Sequence, residues 1–172
     1  MSQRPVQLVY CSRQRIDPRR LDLELAGIVQ ASVRNNRASD VTGLLLAHAG
    51  WFLQVLEGAP AQLKSTYARI IDDRRHIGCQ VLSATPIGER QFGDWNMCAR
   101  RLTREDDAIL GVLALRDRFD PSRFDAKTAL GLLLAVRNIR DRLSLNSPVG
   151  DAKRAQLSAG KPGSAAQQIP AR

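Results

Sequence analysis

Residues 41–58, VTGLLLAHAGWFLQVLEG, place the tightest constraint on the fold: two apolar runs separated by the dipeptide Ala49-Gly50. Gly50 supplies the positive φ that short hairpin loops need, and the runs on either side are rich in strand-forming residues, so the stretch predicts a β-hairpin. One polar side chain, Gln54, interrupts the second run. Strand side chains alternate faces. Phe52, Gln54 and Leu56 therefore point one way and Leu53 and Val55 the other, which sets the Gln54 amide between two large apolar groups. A buried amide without partners costs about 1–3 kcal/mol. Either neighbouring backbone satisfies Gln54 or a polar ligand lies against its face.

The 172 residues suffice for one core of ordinary size, with room for an appendage but not for two full domains. Hydrophobic content is 44%, and no apolar run approaches the roughly 20 residues that cross a bilayer. A soluble protein with no membrane partner is expected. The start, MSQRPVQLVY, lacks a signal-peptide pattern, which makes the cytoplasm the expected location. Cys11, Cys79 and Cys98 are odd in number and lack metal-ligand spacing, so reduced core thiols are expected and no metal site. The formal charge of +9 raises nucleic acid as a partner. Its arginines, however, are dispersed among acids, and an aromatic fraction of 5% leaves few stacking platforms. A solvated basic surface is the preferred reading.

Residues 6–11, VQLVYC, are apolar on both faces and predict a central strand, with Tyr10 sharing a face with Val6 and Leu8. Asp17-Pro18 then offers a helix start, followed by a stripe of Leu21, Leu25, Ile28, Ser32 and Asn35 at helical spacing. The stripe turns from apolar to polar along its length, so that Asn35-Asn36 close the helix. After the hairpin, Ala59-Pro60 opens a second helix with Leu63, Tyr67, Ile70 and Ile71 inward and residues 72–76 closing it. Residues 80–85 predict a fourth strand and residues 95–99 a short fifth. The order βαββαββ is that of a ferredoxin-like α+β sandwich, with both helices on one face of a five-stranded sheet.

Beyond Leu102 the character changes. Residues 103–146 predict a helical appendage, opened by the capping pattern Thr103-Arg104-Glu105-Asp106 and continued by a helix from Asp120-Pro121 to about Leu143. Leu130, Leu132, Leu133, Leu134 and Val136 girdle that second helix. Such an apolar circumference exceeds what one neighbour can cover, so a homo-oligomer, a dimer in the first instance, is expected. Residues 147–172 are rich in Ala, Ser, Gly, Gln and Pro without periodicity and read as a disordered tail.

Catalytic templates fit poorly. His48 and His76 carry no signature with a nucleophile, and no Gly-rich phosphate loop, HExxH or GxSxG occurs. The expectation is a binding or sensing module, not an enzyme. A basic ferredoxin-like module for nucleic acid is the alternative, disfavoured because aromatic residues do not recur on adjacent sheet strands.

Five segments in order, LVYCSR, SVRNNR, VTGLLL with GWFLQVLEG, YARIIDDRRH and FGDWNM, resemble those of the BLUF domain, a flavin-binding blue-light sensor. The resemblance spans residues 6–102, so residues 1–102 form the sensor domain on this reading. It implies a non-covalent FAD, with FMN or riboflavin as further candidates, held between the two helices. Tyr10 and Gln54 would be the photoactive pair, with Gln54 also holding the cofactor from the sheet, and Trp95 and Met97 the photoactive fifth-strand residues near it. Ile28, Ser32, Asn35 and Asn36 would hold the cofactor from the first helix, and Arg69, Ile70, Asp73 and His76 from the second. The sequence departs from the family at Asp40, where glycine commonly precedes the V/I-T-G segment. With no effector enzyme apparent, the signal would pass to a downstream partner protein.

Overall fold

The computed structural model describes residues 4–94, 97–102, 111 and 119–145, with side chains to residue 138. Five strands build one sheet: β1 (Val6–Gln14), β2 (Thr42–His48), β3 (Trp51–Gly58), β4 (His76–Pro86) and β5 (Cys98–Arg101). Their order is β4-β1-β3-β2-β5, antiparallel except for the β2–β5 pair. Helices α1 (Leu21–Ala38) and α2 (Pro60–Ile71) pack on one face, as the pattern of elements predicts. A third helix, α3 (Ala126–Leu145), follows a short 3-10 turn at Pro121–Arg123.

The hairpin forms where the sequence places it. Ala49 (φ 47°) and Gly50 (φ 79°) both take left-handed backbone, the geometry of a two-residue turn whose twist matches its strands. Gly43 is required by proximity: a Cβ there would lie 2.1 Å from the Val55 carbonyl oxygen. Asp40 also sits in the left-handed region at φ 50°, which explains why glycine suits this position. In this chain Arg90 grips the aspartate, its Nη2 donating to Asp40 Oδ2 at 2.7 Å and to the Asp40 carbonyl at 2.9 Å.

Alternation along the central strands makes two cores. Leu8, Tyr10, Phe52 and Leu56 face α1 and α2, joined by Leu21, Leu25, Ile28 and Leu63. Val9, Cys11, Leu44, Leu46, Leu53 and Val55 face the other way and are covered by Ala129, Leu132, Leu133 and Val136 of α3, with Phe92 and Phe119. The apolar girdle of α3 is thus absorbed within the chain. Leu132 and Leu133 are fully buried, and Leu130 and Leu134 pack partly buried against the same cluster. The expected surplus of apolar surface does not survive, because the back of the sheet is broad enough to take both sides of the stripe.

Several boundaries differ from the sequence expectation. α1 begins one turn late, since Asp17 caps the 3-10 turn Pro18–Arg20 instead of the helix, and it runs past Asn36 to Ala38. α2 stops at Ile71 rather than His76. Asp73 folds back on the chain, its carboxylate accepting from the Arg75 N–H at 3.0 Å and its carbonyl from the His76 N–H at 3.0 Å, which turns the backbone into β4. β4 accordingly starts at His76, paired with Gln14 of β1. β5 is Cys98–Arg101, running two residues past the expected end at residue 99, while residues 95–96 of the expected strand lie outside the described residues. Residues 103–110, 112–118 and 146–172, and with them the capping pattern at 103–106 and the expected tail, lie outside the described residues.

The chain divides into two compact units, 1–137 and 138–172, the second including the last turns of α3. Among the described residues, no helix is long and apolar enough to cross a membrane, and no group of three or more His, Cys, Asp or Glu is placed to hold a metal ion.

Candidate functional site

The central register puts Tyr10 of β1 directly opposite Gln54 of β3, with Leu45 of β2 on the far side. Opposed residues in an antiparallel pair share a face and touch. The Tyr10 hydroxyl donates to Gln54 Oε1, while Gln54 Nε2 lies 3.4 Å from Met97 Sδ. Gln54 is 3% exposed and Tyr10 not at all. Thioether sulfur is a weak acceptor, so the amide N–H groups have donor capacity to spare at this point. The question left open by the sequence is answered in part: a side chain, not backbone, satisfies the carbonyl end of Gln54.

Gln54 stands at the floor of a cleft between α1 and α2 that holds about 640 Å³ of space between atoms, part of it open to solvent. Ile28, Ser32, Asn35 and Asn36 line it from α1, Arg69 and Ile70 from α2. Asp73 and His76 line it too, but from the turn after α2 and the first residue of β4, not from the helix itself. Met97 closes the inner end, just before β5. All nine residues expected to hold the cofactor, and Met97, therefore meet at one place. Trp95 lies outside the described residues.

Ala31, Thr66 and Arg75 complete the wall and were not among the expected residues. Ala31 follows Ile28 by three positions and Thr66 precedes Ile70 by four, so helical spacing carried the signal for both. Arg75 had none, because its place depends on the Asp73 turn. Its guanidinium Nε donates to both oxygens of Asp73, at 2.9 and 3.1 Å, and its Nη1 lies 3.7 Å from Glu24 of α1. The Asp73 carboxyl is held below its usual range chiefly by the hydrogen bond from Arg75, and Arg75 is raised by the same bond. Arg69 Nη2 donates to Thr66 Oγ1 at 3.1 Å.

Electrostatics keep the floor neutral. Burial raises the Tyr10 phenol well above its ordinary range, with smaller contributions from Cys79, Tyr67 and Asp73, so it remains a donor. The Tyr67 ring meets it edge-on, 5.1 Å between centroids. His76 is pushed down to about 4, first by burial, with Arg75 adding to the shift and Asp73 opposing it. It is a neutral imidazole at physiological pH, resting on Phe52 at 4.7 Å between centroids, with Nδ1 2.9 Å from Ser12 Oγ.

An amide-rich cleft with a neutral floor on the helix side of a ferredoxin-like sheet is the common ground with known proteins. The family described as sensors of blue-light using FAD, BLUF, matches residues 6–98, and the chain belongs to that family. Residues 6–98 are thus a domain of the kind that senses blue light using FAD. The chain is 36% identical over 107 residues to the blue light- and temperature-regulated antirepressor BluF of Escherichia coli (strain K12), covering 61% of this chain and 26% of that protein. It is 37% identical over 73 residues to photoactivated adenylate cyclase subunit beta of Euglena longa, covering 42% of this chain and 8% of that one. The matched stretch is thus a small part of either relative. Among solved structures, BlrB, a BLUF protein in its dark state, superposes with a TM-score of 0.62 at 29% identity, covering 79% of this chain and 99% of that one. The photo-activated state of BlsA reaches a TM-score of 0.68 over 75% of this chain and 91% of that one; at 22% identity it speaks for the fold alone. What these matches share with the chain is the sensor, not an enzyme.

Proposed function

We propose that the cleft between α1 and α2 holds the flavin, and that Tyr10 and Gln54 form a hydrogen-bond switch read by a partner protein. The observation that carries this reading is the position of the Gln54 amide, fixed at its carbonyl end by Tyr10 and, among the described residues, facing a thioether at the other. A flavin fits the donor set: Asn35, Asn36 and Gln54 offer amides that both give and accept, as the carbonyl and imide edge of the ring requires, while Ile28 and Ile70 offer apolar contact to its faces. When bound, the flavin supplies absorption of blue light and the transient redox chemistry that follows.

What the chain contributes is a reversible polarity. With Oε1 on Tyr10, Gln54 presents N–H groups toward the cleft and Met97. Rotation or tautomerisation of the amide presents its oxygen or imidic O–H there instead. Tyr10 tolerates either state, because a hydroxyl donates or accepts. The sulfur of Met97 loses little when the N–H leaves. In a water-poor site such a reversal is felt strongly by its neighbours. Met97 leads directly into β5, an edge strand, and on this reading the response reaches the sheet edge through it. Residues 1–102 are the sensing part on this reading, and the helical segment beyond them carries the signal to a partner, a second copy of the chain included.

Absorption spectra of the purified protein test the reading. A yellow protein is expected whose visible band shifts to the red in blue light and returns in darkness, with Gln54→Leu keeping the flavin and losing the shift. A colourless protein that takes up no added FAD, or a normal photocycle in Gln54→Leu, would refute it.

A further inference from the structure

Ser12 is completely buried on β1 and does not line the cleft, yet it touches a residue that does. The β1–β4 register shifts between Cys11 and Arg13, so Ser12 has no partner on β4. Its side chain lies on the same face as Tyr10, two residues earlier. The hydroxyl is 2.9 Å from His76 Nδ1. Phe52 supports the His76 ring from one side. With Nδ1 engaged by Ser12, Nε2 is the ring nitrogen left to the cleft that His76 lines.

The Ser12–His76 bond can order its proton in two ways. Burial keeps His76 neutral, so the imidazole carries a single N–H. In one order, Ser12 O–H donates to the Nδ1 lone pair. In the other, Nδ1–H donates to Ser12 Oγ, and the buried hydroxyl proton then needs a second acceptor. The first order satisfies donor and acceptor with one bond, and a buried donor left without an acceptor is costly. We infer that Ser12 is a positioning residue that fixes His76 as the Nε2–H tautomer, so that the cleft offers a hydrogen-bond donor to an acceptor oxygen of the flavin. This rests on the reading of the cleft as the flavin site. A tautomer is set by what the other ring nitrogen bonds, and that bond is the one Ser12 makes.

Ring-nitrogen NMR of the full-length protein as purified, labelled with 15N-histidine, tests this directly. The chain has two histidines, and His76→Gln assigns the second set of signals. A pyridine-like Nδ1 and a pyrrole-like Nε2 are expected for His76. Ser12→Ala should average the two nitrogens toward a mixture and weaken flavin binding about fivefold, the size of one neutral hydrogen bond. Ser12→Thr, which keeps the hydroxyl, should restore both. A pyrrole-like Nδ1 in the parent protein overturns the inference, as does an unchanged tautomer or unchanged flavin affinity in Ser12→Ala. If that variant does not fold, Ser12→Cys, a weaker donor of similar size, takes its place under the same criteria. A colourless protein that nonetheless shows the Nε2–H tautomer counts against the flavin site and for the assignment of Ser12.

Discussion

Acid should destabilise this protein through His76 before it reaches any carboxylate. An unfolded histidine titrates near 6.5, whereas His76 in the folded chain titrates at about 4. Between those values the unfolded chain binds a proton that the folded chain refuses, so stability rises with pH across the window. The His76 contribution is fully present above pH 6.5, is lost as pH falls toward 4, and changes no further below that. At ~1.4 kcal/mol for each pH unit between the two values, the whole effect is about 3 kcal/mol, of which about 2 are lost by pH 5. His76 is 8% exposed, so solvent screening takes little from this figure. Asp73 is also depressed in the folded state, and its contribution is lost on acidification as well, but only below the ordinary carboxylate range. The two windows are therefore separable. Urea unfolding in darkness at pH 7.5, 6.5, 5.5 and 5.0 measures the slope, with His76→Gln as the control. The parent should lose about 2 kcal/mol between pH 7.5 and 5.0 and the variant well under half of that. Superimposable pH profiles would show that burial of the imidazole does not govern acid stability.

Glu57 is fully buried at the end of β3, accepting from Gln7 Nε2 at 2.8 Å, the Phe92 N–H at 2.8 Å and the Gln91 N–H at 3.1 Å. At about 1–3 kcal/mol for each buried donor left unsatisfied, Glu57→Ala should cost roughly 3–5 kcal/mol and Glu57→Gln about half as much, read as shifts in the denaturation midpoint; a change under ~0.5 kcal/mol in the alanine variant would contradict the network. Leu132 of α3 covers the back of the sheet, so Leu132→Ala should cost about 2–5 kcal/mol. Truncation after Leu102 uncovers Val9, Leu44, Leu46, Leu53 and Val55 together and should give an aggregating protein; a soluble, equally stable truncated chain by light scattering and thermal unfolding would show that α3 is not the cover.

The elements that sequence reasoning found most readily are those whose cause is local. Gly50 announces the hairpin, and the alternation of Phe52, Gln54 and Leu56 against Leu53 and Val55 assigns each to its face, because a pleated strand leaves no choice. The helical stripe Leu21, Leu25, Ile28, Ser32, Asn35 delivers its polar end to the cleft by the same periodicity. Boundaries were less legible. The end of α2 depends on Asp73 bonding back to Arg75 and on β1 extending far enough to pair His76, and neither contact is written in the local pattern of residues 72–76.

The chain's own residue order settled the class of fold, the faces of the strands and which amides and aromatics could meet at a cofactor, since these follow from turn chemistry and from the periods of strand and helix. Long-range packing settled the rest. Tyr10 meets Gln54 only because β1 and β3 pair in one register, and a shift of one residue would send the two side chains to opposite faces. The apolar girdle of α3 turned inward because the back of the sheet offered a matching surface, a fact about an area assembled from four strands rather than about the helix. Glu57 with its three donors, Arg75 across Asp73 and Glu24, and Ser12 behind His76 all join residues at least two elements apart or beyond a tight turn. Such pairings have no spacing in the sequence to announce them, because the distance that makes the bond exists only after the chain has folded.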